Sequence, residues 1–294
     1  MSLPAELAAA LGDALGADVL AAERVGGGSI NDAWRVELSS GADAFVKARG
    51  DAHAAEFDAE AAGLRWLAAA ADGAPLPEVL GVGEGPAWLA LEWVAPGALS
   101  PTGAEELGRG LAALHRAGAS AHGALPPGSP DELLRIGSVE LAIRERERWG
   151  DAYAEDMLMP LVERARERGS LSATDAEAVE SVCARIGDLA GPEEPPSRLH
   201  GDLWGGNVHS DADGAGWLID PAAHGGHREV DLAMLRLFGA PSEAVFSAYA
   251  ESHPPADGHG ERVALWQLLP LLVHAVLFGG SYGSRAGAAA RSFA

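Results

Sequence analysis

Residues 198–209 read RLHGDLWGGNVH, with two histidines, an aspartate, a tryptophan, an asparagine and three glycines in twelve positions. Each glycine costs about 1 kcal/mol in a helix relative to alanine, so this stretch is a tight loop. It is followed by the apolar run WLID, which ends on Asp220 thirteen residues after Asn207. A polar loop backed by a short buried strand constrains the fold around it. The strand needs a core on one side, and the loop side chains must be held by something other than their own backbone.

The segments on either side differ in kind. The N-terminal stretch MSLPAELAAALGDALGADVLAAERV (1–25) patterns as an amphipathic helix, with Leu3, Leu7, Leu11 and Leu15 spaced by four. AERVGGGSINDAWRVEL (22–38) reads strand, glycine turn, strand, and residues 43–49 read as a third strand. Residues 53–71 read as a helix with Phe57, Ala61, Leu64 and Leu67 on one face, and 74–97 as two strands between Gly and Pro turns. From 101 the chain turns helical, with predicted helices at 102–118, 138–168 and 173–190. Thr102 and Glu105 have the spacing of a capping box at the first of these. The reading is an α+β, two-lobed chain: a small antiparallel sheet with one long helix over 1–95, and a mostly helical lobe over 96–294.

Composition excludes several classes. Net charge is −22 with 43 acidic and 21 basic residues, a field that repels nucleic acid and anionic membranes. The charges are dispersed and there is no low-complexity tail. The lone Cys183 cannot form an internal disulfide, and the N-terminus lacks the basic start of a secretory signal; both fit a cytoplasmic location. The apolar run 263–280 is interrupted by Gln267, Pro270 and His274, so it reads as a core helix and no membrane partner is expected. The acidic, lysine-poor composition suits a high-salt or high-GC source and predicts stability that rises from low to molar salt.

Lys47 is the only lysine; arginine supplies the other 20 basic residues. A single exception marks a place where a planar guanidinium will not serve and a compact point charge will. It sits on the third strand, where a nucleotide-phosphate lysine belongs in kinases. Such a lysine needs a carboxylate on the next helix; Glu60 and Glu56 are both candidates, one turn apart, and Glu60 is preferred for its apolar neighbours. The glycine turn Gly26, Gly27, Gly28, Ser29 precedes it and would let bare amides approach phosphates. In the loop, Asp202 is placed to take a proton, and Asn207 with Asp220 to hold Mg²⁺, the catalytic arrangement for phosphoryl transfer from ATP. A zinc site built from His200, His209 and Asp202 is the competing use of the loop and is not favoured, with one cysteine and no HExxH spacing, and no G-x-S-x-G suggests a serine hydrolase. His200 is expected to order the loop. Asp231 either braces the loop's backbone N–H groups or simply faces the dipole of the helix it begins.

These segments together resemble a known family. GGGSIN, FVK, F-x-x-E-x-x-GL (57–64), LEWV (91–94), LAALHR, HGDLWGGN, IDPA, GHREVDLAML-x-LFG and LFGGSYGSRA are similar to the fructosamine kinase (ketosamine-3-kinase) family, over about residues 20–286. The resemblance implies a protein-kinase-like fold, akin to aminoglycoside and choline phosphotransferases, and ATP-dependent phosphorylation of a sugar O3 hydroxyl of a small-molecule ketosamine or glycated amine. It implies a hinge at Glu92, Trp93 and Val94 that meets adenine through backbone groups, and Trp204 bordering the sugar. Residues 123–150 depart from the family pattern in being short of Asn and Gln, which leaves the acceptor open: another hydroxylated amine, such as an aminoglycoside or a choline-like compound, is the alternative. An inactive nucleotide-binding protein is the reading from a different class.

Overall fold

The computed structural model describes residues 3–26, 31–50 and 54–294. Helix α1 (Ala5–Leu15) ends at Gly16, whose left-handed φ of 65° closes the last turn. Strands β1 (Val19–Arg24), β2 (Asp32–Leu38) and β3 (Asp43–Ala48) follow, then helix α2 (Ala54–Ala68) and strands β4 (Val79–Glu84) and β5 (Ala87–Glu92). All pair antiparallel in one five-stranded sheet of order β1-β2-β3-β5-β4.

The sheet lies between the two helices, and β5 shows how. Trp88 and Ala90 join Leu7 and Leu11 of α1 with Trp34, Val36 and Val46 on one face. Leu89 and Leu91 join Phe57, Ala61, Leu64 and Leu67 of α2 on the other. Strand alternation sends successive side chains to opposite faces, so a central strand buried on both sides reads as the near-continuous run AWLAL. Each fully buried leucine contributes about 1.5–3 kcal/mol.

The helical lobe opens with α3 (Pro101–Arg116). Two short strands, β6 (Leu133–Ile136) and β7 (Val139–Ala142), form a hairpin. A continuous helical stretch runs through α4 (Trp149–Asp151), a π-helical segment (Ala152–Leu158) and α5 (Met159–Glu167), followed by α6 (Ala173–Ala184) and α7 (Ile186–Leu189). The loop region carries β8 (Ser197–Leu199), β9 (Val208–Ser210), β10 (Gly216–Leu218) and β11 (His224–Gly226), paired β8 with β11 and β9 with β10. Helices α8 (Glu229–Leu237), α9 (Glu243–Ser252), α10 (His259–Trp266), α11 (Leu268–Phe278) and α12 (Tyr282–Arg291) complete it. The apolar stretch 259–278, long enough to cross a bilayer, instead packs Leu265, Trp266, Leu268, Leu269 and Leu272 into the core.

Two expectations are corrected. The predicted helix over 138–168 starts only at Trp149, because 133–142 is the β6–β7 hairpin. Its Glu/Arg spacing mimicked helical pairing, but Arg135 reaches Glu140 across the hairpin at 3.1 Å and Gly137 turns the chain with φ 57°. Ile136, Val139, Leu141 and Ile143 carry the buried alternation. At α3 the cap is Ser100, not Thr102: the Ser100 hydroxyl accepts from the Gly103 N–H at 2.9 Å, and Pro101 occupies the first helical position, where its missing N–H costs nothing. Glu105 contacts Arg109 instead, at 3.4 Å.

Ser100→Ala is expected to lower stability by about 1 kcal/mol, and Thr102→Ala to change it little. Urea unfolding of the two variants distinguishes the caps; the reverse ranking restores the capping box at Thr102.

Candidate active site

Lys47 stands on β3 between Ala33 of β2 and Leu89 of β5. It is 6% exposed. An ammonium so placed is tolerable only with partners. Its Nζ donates to Glu60 Oε1 at 2.7 Å and to Asp220 Oδ1 at 2.6 Å. Burial works against the charged amine, but the charges of Asp220 and Glu60 outweigh it and hold the group above its ordinary range. The Glu60 carboxyl is pushed up, first by burial and then by Asp220, with Lys47 opposing. Two carboxylates against one ammonium leave the cluster short of positive charge. Glu56, the other candidate on α2, turns instead to Arg49, at 2.7 and 2.8 Å.

The loop after β8 is hung from one carboxylate. Asp231, fully buried on α8, accepts from the His200 N–H at 2.7 Å and the Gly201 N–H at 2.9 Å. It also accepts from His115 Nε2 at 3.2 Å, while His115 Nδ1 lies 2.8 Å from the Tyr249 hydroxyl. Burial alone would raise the Asp231 carboxyl; the His115 hydrogen bond and the loop contacts bring it below its ordinary range. The helix-dipole reading of Asp231 is therefore the lesser part of its role. His200 uses both ring nitrogens: Nδ1 accepts from the Asp202 N–H at 3.3 Å and Nε2 donates to the Ile219 carbonyl at 2.9 Å, which fixes a neutral tautomer. Burial keeps it neutral. Gly201 takes φ 80°, and a Cβ there would strike the Ala222 carbonyl.

This frame sets Asp202, Asn207 and Asp220 together. Asn207 Nδ2 donates to the Asp202 carbonyl at 2.7 Å and to Asp202 Oδ2 at 3.0 Å. The Asn207 carbonyl accepts from the Ile219 N–H at 3.1 Å, tying the loop to the segment that ends in Asp220. Asp220 has φ 57°, a left-handed conformation uncommon outside glycine, asparagine and aspartate. Burial, with the charges of Asp220 and Asp231, pushes the Asp202 carboxyl up to about 6 against the Asn207 hydrogen bond.

The remaining predicted residues flank this centre. Trp204 is 39% exposed and folds back over Gly206, where any Cβ would meet its ring. Trp93 stacks under the Arg35 guanidinium, 5.1 Å from its centroid. The Val94 carbonyl accepts from His209 Nε2 at 3.0 Å, and Glu92 Oε2 accepts from the Glu78 N–H at 3.2 Å. Gly26 follows directly on the last bond of the first hairpin, Val25 N–H to the Ala33 carbonyl at 2.9 Å; Gly27, Gly28 and Ser29 lie outside the described residues. His115 and Tyr249 carry no role in the sequence reading, and His209, weighed there only as a zinc ligand, bonds to the Val94 carbonyl. Only His115, in LAALHR, carried a signal: a histidine on the buried face of an otherwise apolar helix.

The fold and the family match together define the class: a protein-kinase-like phosphotransferase acting on an alcohol. At the level of fold alone, a choline kinase structure from Streptococcus pneumoniae superposes with a TM-score of 0.61 at 16% identity, covering 98% of this chain and 97% of that one. The fructosamine kinase family model matches residues 4–292, and the chain belongs to that family. A protein of Synechocystis sp. named as a probable ketoamine kinase is 33% identical over 263 residues, 89% of this chain and 86% of its own length. A crystal structure of a provisionally named fructosamine-3-kinase from Thermobifida fusca is 42% identical, covers 97% of both chains and has a TM-score of 0.88.

The raised Asp202 carboxyl has a consequence for stability. Its folded value of about 6 lies above the ordinary 3.8, so it contributes stability at low pH that is lost as pH rises through 6. Asp202→Asn removes the charge at nearly constant shape. The variant is expected to be more stable than wild type at pH 8 by about 1–2 kcal/mol, with the difference vanishing near pH 4. Urea titrations at both pH values test this; a variant destabilised equally at both would place the Asp202 carboxyl in the ordinary range.

Proposed function

We propose that this chain transfers the γ-phosphoryl group of ATP to the O3 hydroxyl of a ketosamine sugar, a deglycation-type activity on fructosamine- or ribulosamine-like small molecules. The observation that carries the acceptor assignment is Trp204. A large aromatic ring stands half-exposed two residues from Asp202, held in place over Gly206, and offers an apolar face to a sugar ring.

In this reading the lobe boundary lies at 95/96, and the Glu92–Val94 hinge takes adenine through backbone groups. The Gly26–Ser29 turn and Lys47, held by Glu60, take the phosphates. Asp202 accepts the hydroxyl proton as the sugar oxygen bonds to phosphorus and the bond to ADP breaks. Its raised carboxyl suits that task, since a base is most effective with a value near working pH. Asn207 and Asp220 are the residues that would hold Mg²⁺. Hard oxygen donors fit it, and the excess of carboxylate over ammonium around Lys47 calls for a cation. Bound there, Mg²⁺ supplies neutralisation of phosphate charge. Most of the rate enhancement comes from positioning and charge rather than covalent work. The lone Cys183, its thiol pushed up to about 12 by burial, is unreactive and fits a reducing cytoplasm.

The direct test is ³¹P detection of phosphorylated product from fructosamines, ribulosamines, aminoglycosides and choline. Turnover of an aminoglycoside or choline in place of every ketosamine would replace the acceptor assignment, and no turnover with any of them would favour an inactive nucleotide binder.

Variants separate the roles. Asp202→Asn is expected to lower kcat by about 10²- to 10⁴-fold with ATP affinity little changed and no rescue by Mg²⁺. Asn207→Ala and Asp220→Asn are expected to raise the Mg²⁺ requirement, Lys47→Arg to lower kcat/KM strongly in a folded protein, and Trp204→Ala to raise KM for the sugar more than for ATP. Full turnover by Asp202→Asn, or by Lys47→Arg, would remove that residue from the mechanism.

The pH profile is a further check. Wild-type kcat/KM for the acceptor is expected to fall about ten-fold per unit below pH 6, where Asp202 takes up its proton. A profile flat to pH 5 would rule Asp202 out as the base.

A further inference from the structure

Arg198 lies on β8, four residues before Asp202, and it does not pair with any carboxylate among the described residues, although acids outnumber bases 43 to 21. It spends its guanidinium on two carbonyls and a ring. Nη1 donates to the Trp66 carbonyl at 2.7 Å, Nε donates to the Gly118 carbonyl at 2.9 Å, and the group lies 5.2 Å from the Trp66 ring centroid.

The Trp66 carbonyl is one of the last on α2. The chain tightens there, with the Ala70 N–H bonded to Leu67, so the Trp66 carbonyl is not used by the helix itself. An orphan carbonyl at a helix C-terminus carries the negative end of the helix dipole, and a cation is its natural cap. This cap comes from the other lobe. Glu60 lies six residues earlier on the same helix, about 9 Å along its axis at 1.5 Å per residue. One side chain thus ties the helix that carries the partner of Lys47 to the strand that enters the catalytic loop.

A second contact supports the same alignment. A Cβ at Gly63 would sit 3.1 Å from the Ala223 methyl and 3.6 Å from Pro221, so α2 already lies against the segment that follows Asp220. That segment is short and buried: residues 221–228 connect Asp220 directly to α8 without exposure. In protein kinases a long activation segment and a mobile helix at this place control the lysine–glutamate pair. Here the corresponding segment is eight residues long and buried, and α2 packs against it.

We infer that Arg198 is a positioning residue that locks α2 to the catalytic strand, so that Lys47 and Glu60 stand aligned with Asp220 before nucleotide arrives. The inference rests on the nucleotide role given to Lys47, and not on the identity of the sugar acceptor.

The test uses Arg198→Met and the milder Arg198→Lys in the full chain, with Arg185→Met as control, since Arg185 donates to the Phe293 carbonyl far from the site. Amide hydrogen exchange of residues 54–68 is measured without ligand, and affinity for Mg²⁺-ATP by direct titration. Arg198→Met is expected to speed exchange in α2 and weaken nucleotide binding by about ten-fold, the loss that follows from about 1.4 kcal/mol. Arg198→Lys, keeping one donor to a carbonyl, is expected to fall between it and wild type; it also carries the test if the Met variant does not fold. Arg185→Met is expected to change neither reading. Loss of thermal stability in the Arg198 variants with α2 exchange and nucleotide affinity unchanged would overturn the inference, as would an equal effect from Arg185→Met. Wild-type protein that takes up no nucleotide would overturn the role of Lys47 and this inference with it. A failure of every ketosamine would leave the nucleotide titration as it is and count only against the acceptor.

Discussion

The buried contact of Lys47 with Glu60 and Asp220 is the interaction on which the arrangement of the two lobes depends. Three charged groups are brought together from β3, α2 and the end of the WLID segment. Desolvating Lys47 and Glu60 costs several kcal/mol per ion, and attraction to each other and to the partly exposed Asp220 offsets this only if the geometry is tight. The sheet supplies that geometry. β3 is central, held by β2 on one side and β5 on the other, and α2 is pressed on the sheet by Phe57, Ala61, Leu64 and Leu67. The same apolar cluster continues into Leu107, Leu111 and Leu114 of α3 and into Leu203 and Leu218 beside the loop. Charge placement and hydrophobic packing therefore specify one relative position of the lobes.

The loop after β8 solves a different problem. A glycine-rich segment cannot hold its side chains by its own hydrogen bonds, so it borrows them. Asp231 receives two consecutive backbone N–H groups, His200 closes the loop onto Ile219, and Asn207 closes it onto Asp202. The cost falls on Asp202, whose burial near two other carboxylates raises its carboxyl. The feature that suits the residue to the proposed role of base is thus a small local liability to the fold.

Much of this was legible in the sequence where residue type was constrained by chemistry. The sole lysine on a strand, Asp202 with Asn207 five residues on, and an aspartate at the end of WLID stood out because few structural roles demand those types at those spacings. The apolar faces of α1 and α2 were legible because they obey one period. What failed did so where two periods compete. IGSVELAIRERERWG holds helical Glu/Arg spacings and a strand-like alternation at once, and the long-range packing of Leu134, Leu141 and Ile143 in the lobe core decided for the hairpin. Thr102 and Glu105 match the capping-box spacing, but Pro101 fits the first helical position and sets the cap one residue earlier, at Ser100. Arg198, His115 and Tyr249 act through partners between 80 and 134 residues distant, a relation that no local pattern encodes.

Lys47 also bears on how this protein meets reducing sugars. Such sugars condense with amines in the free-base form, which is the nucleophile. The chain has one side-chain amine, and it is buried between two carboxylates that keep it protonated. The other 20 of the 21 lysine and arginine residues are arginines. The outer surface accordingly presents no lysine on which a fructosamine can form, and a member of a ketoamine kinase family is built almost without the group whose modification its relatives' names describe.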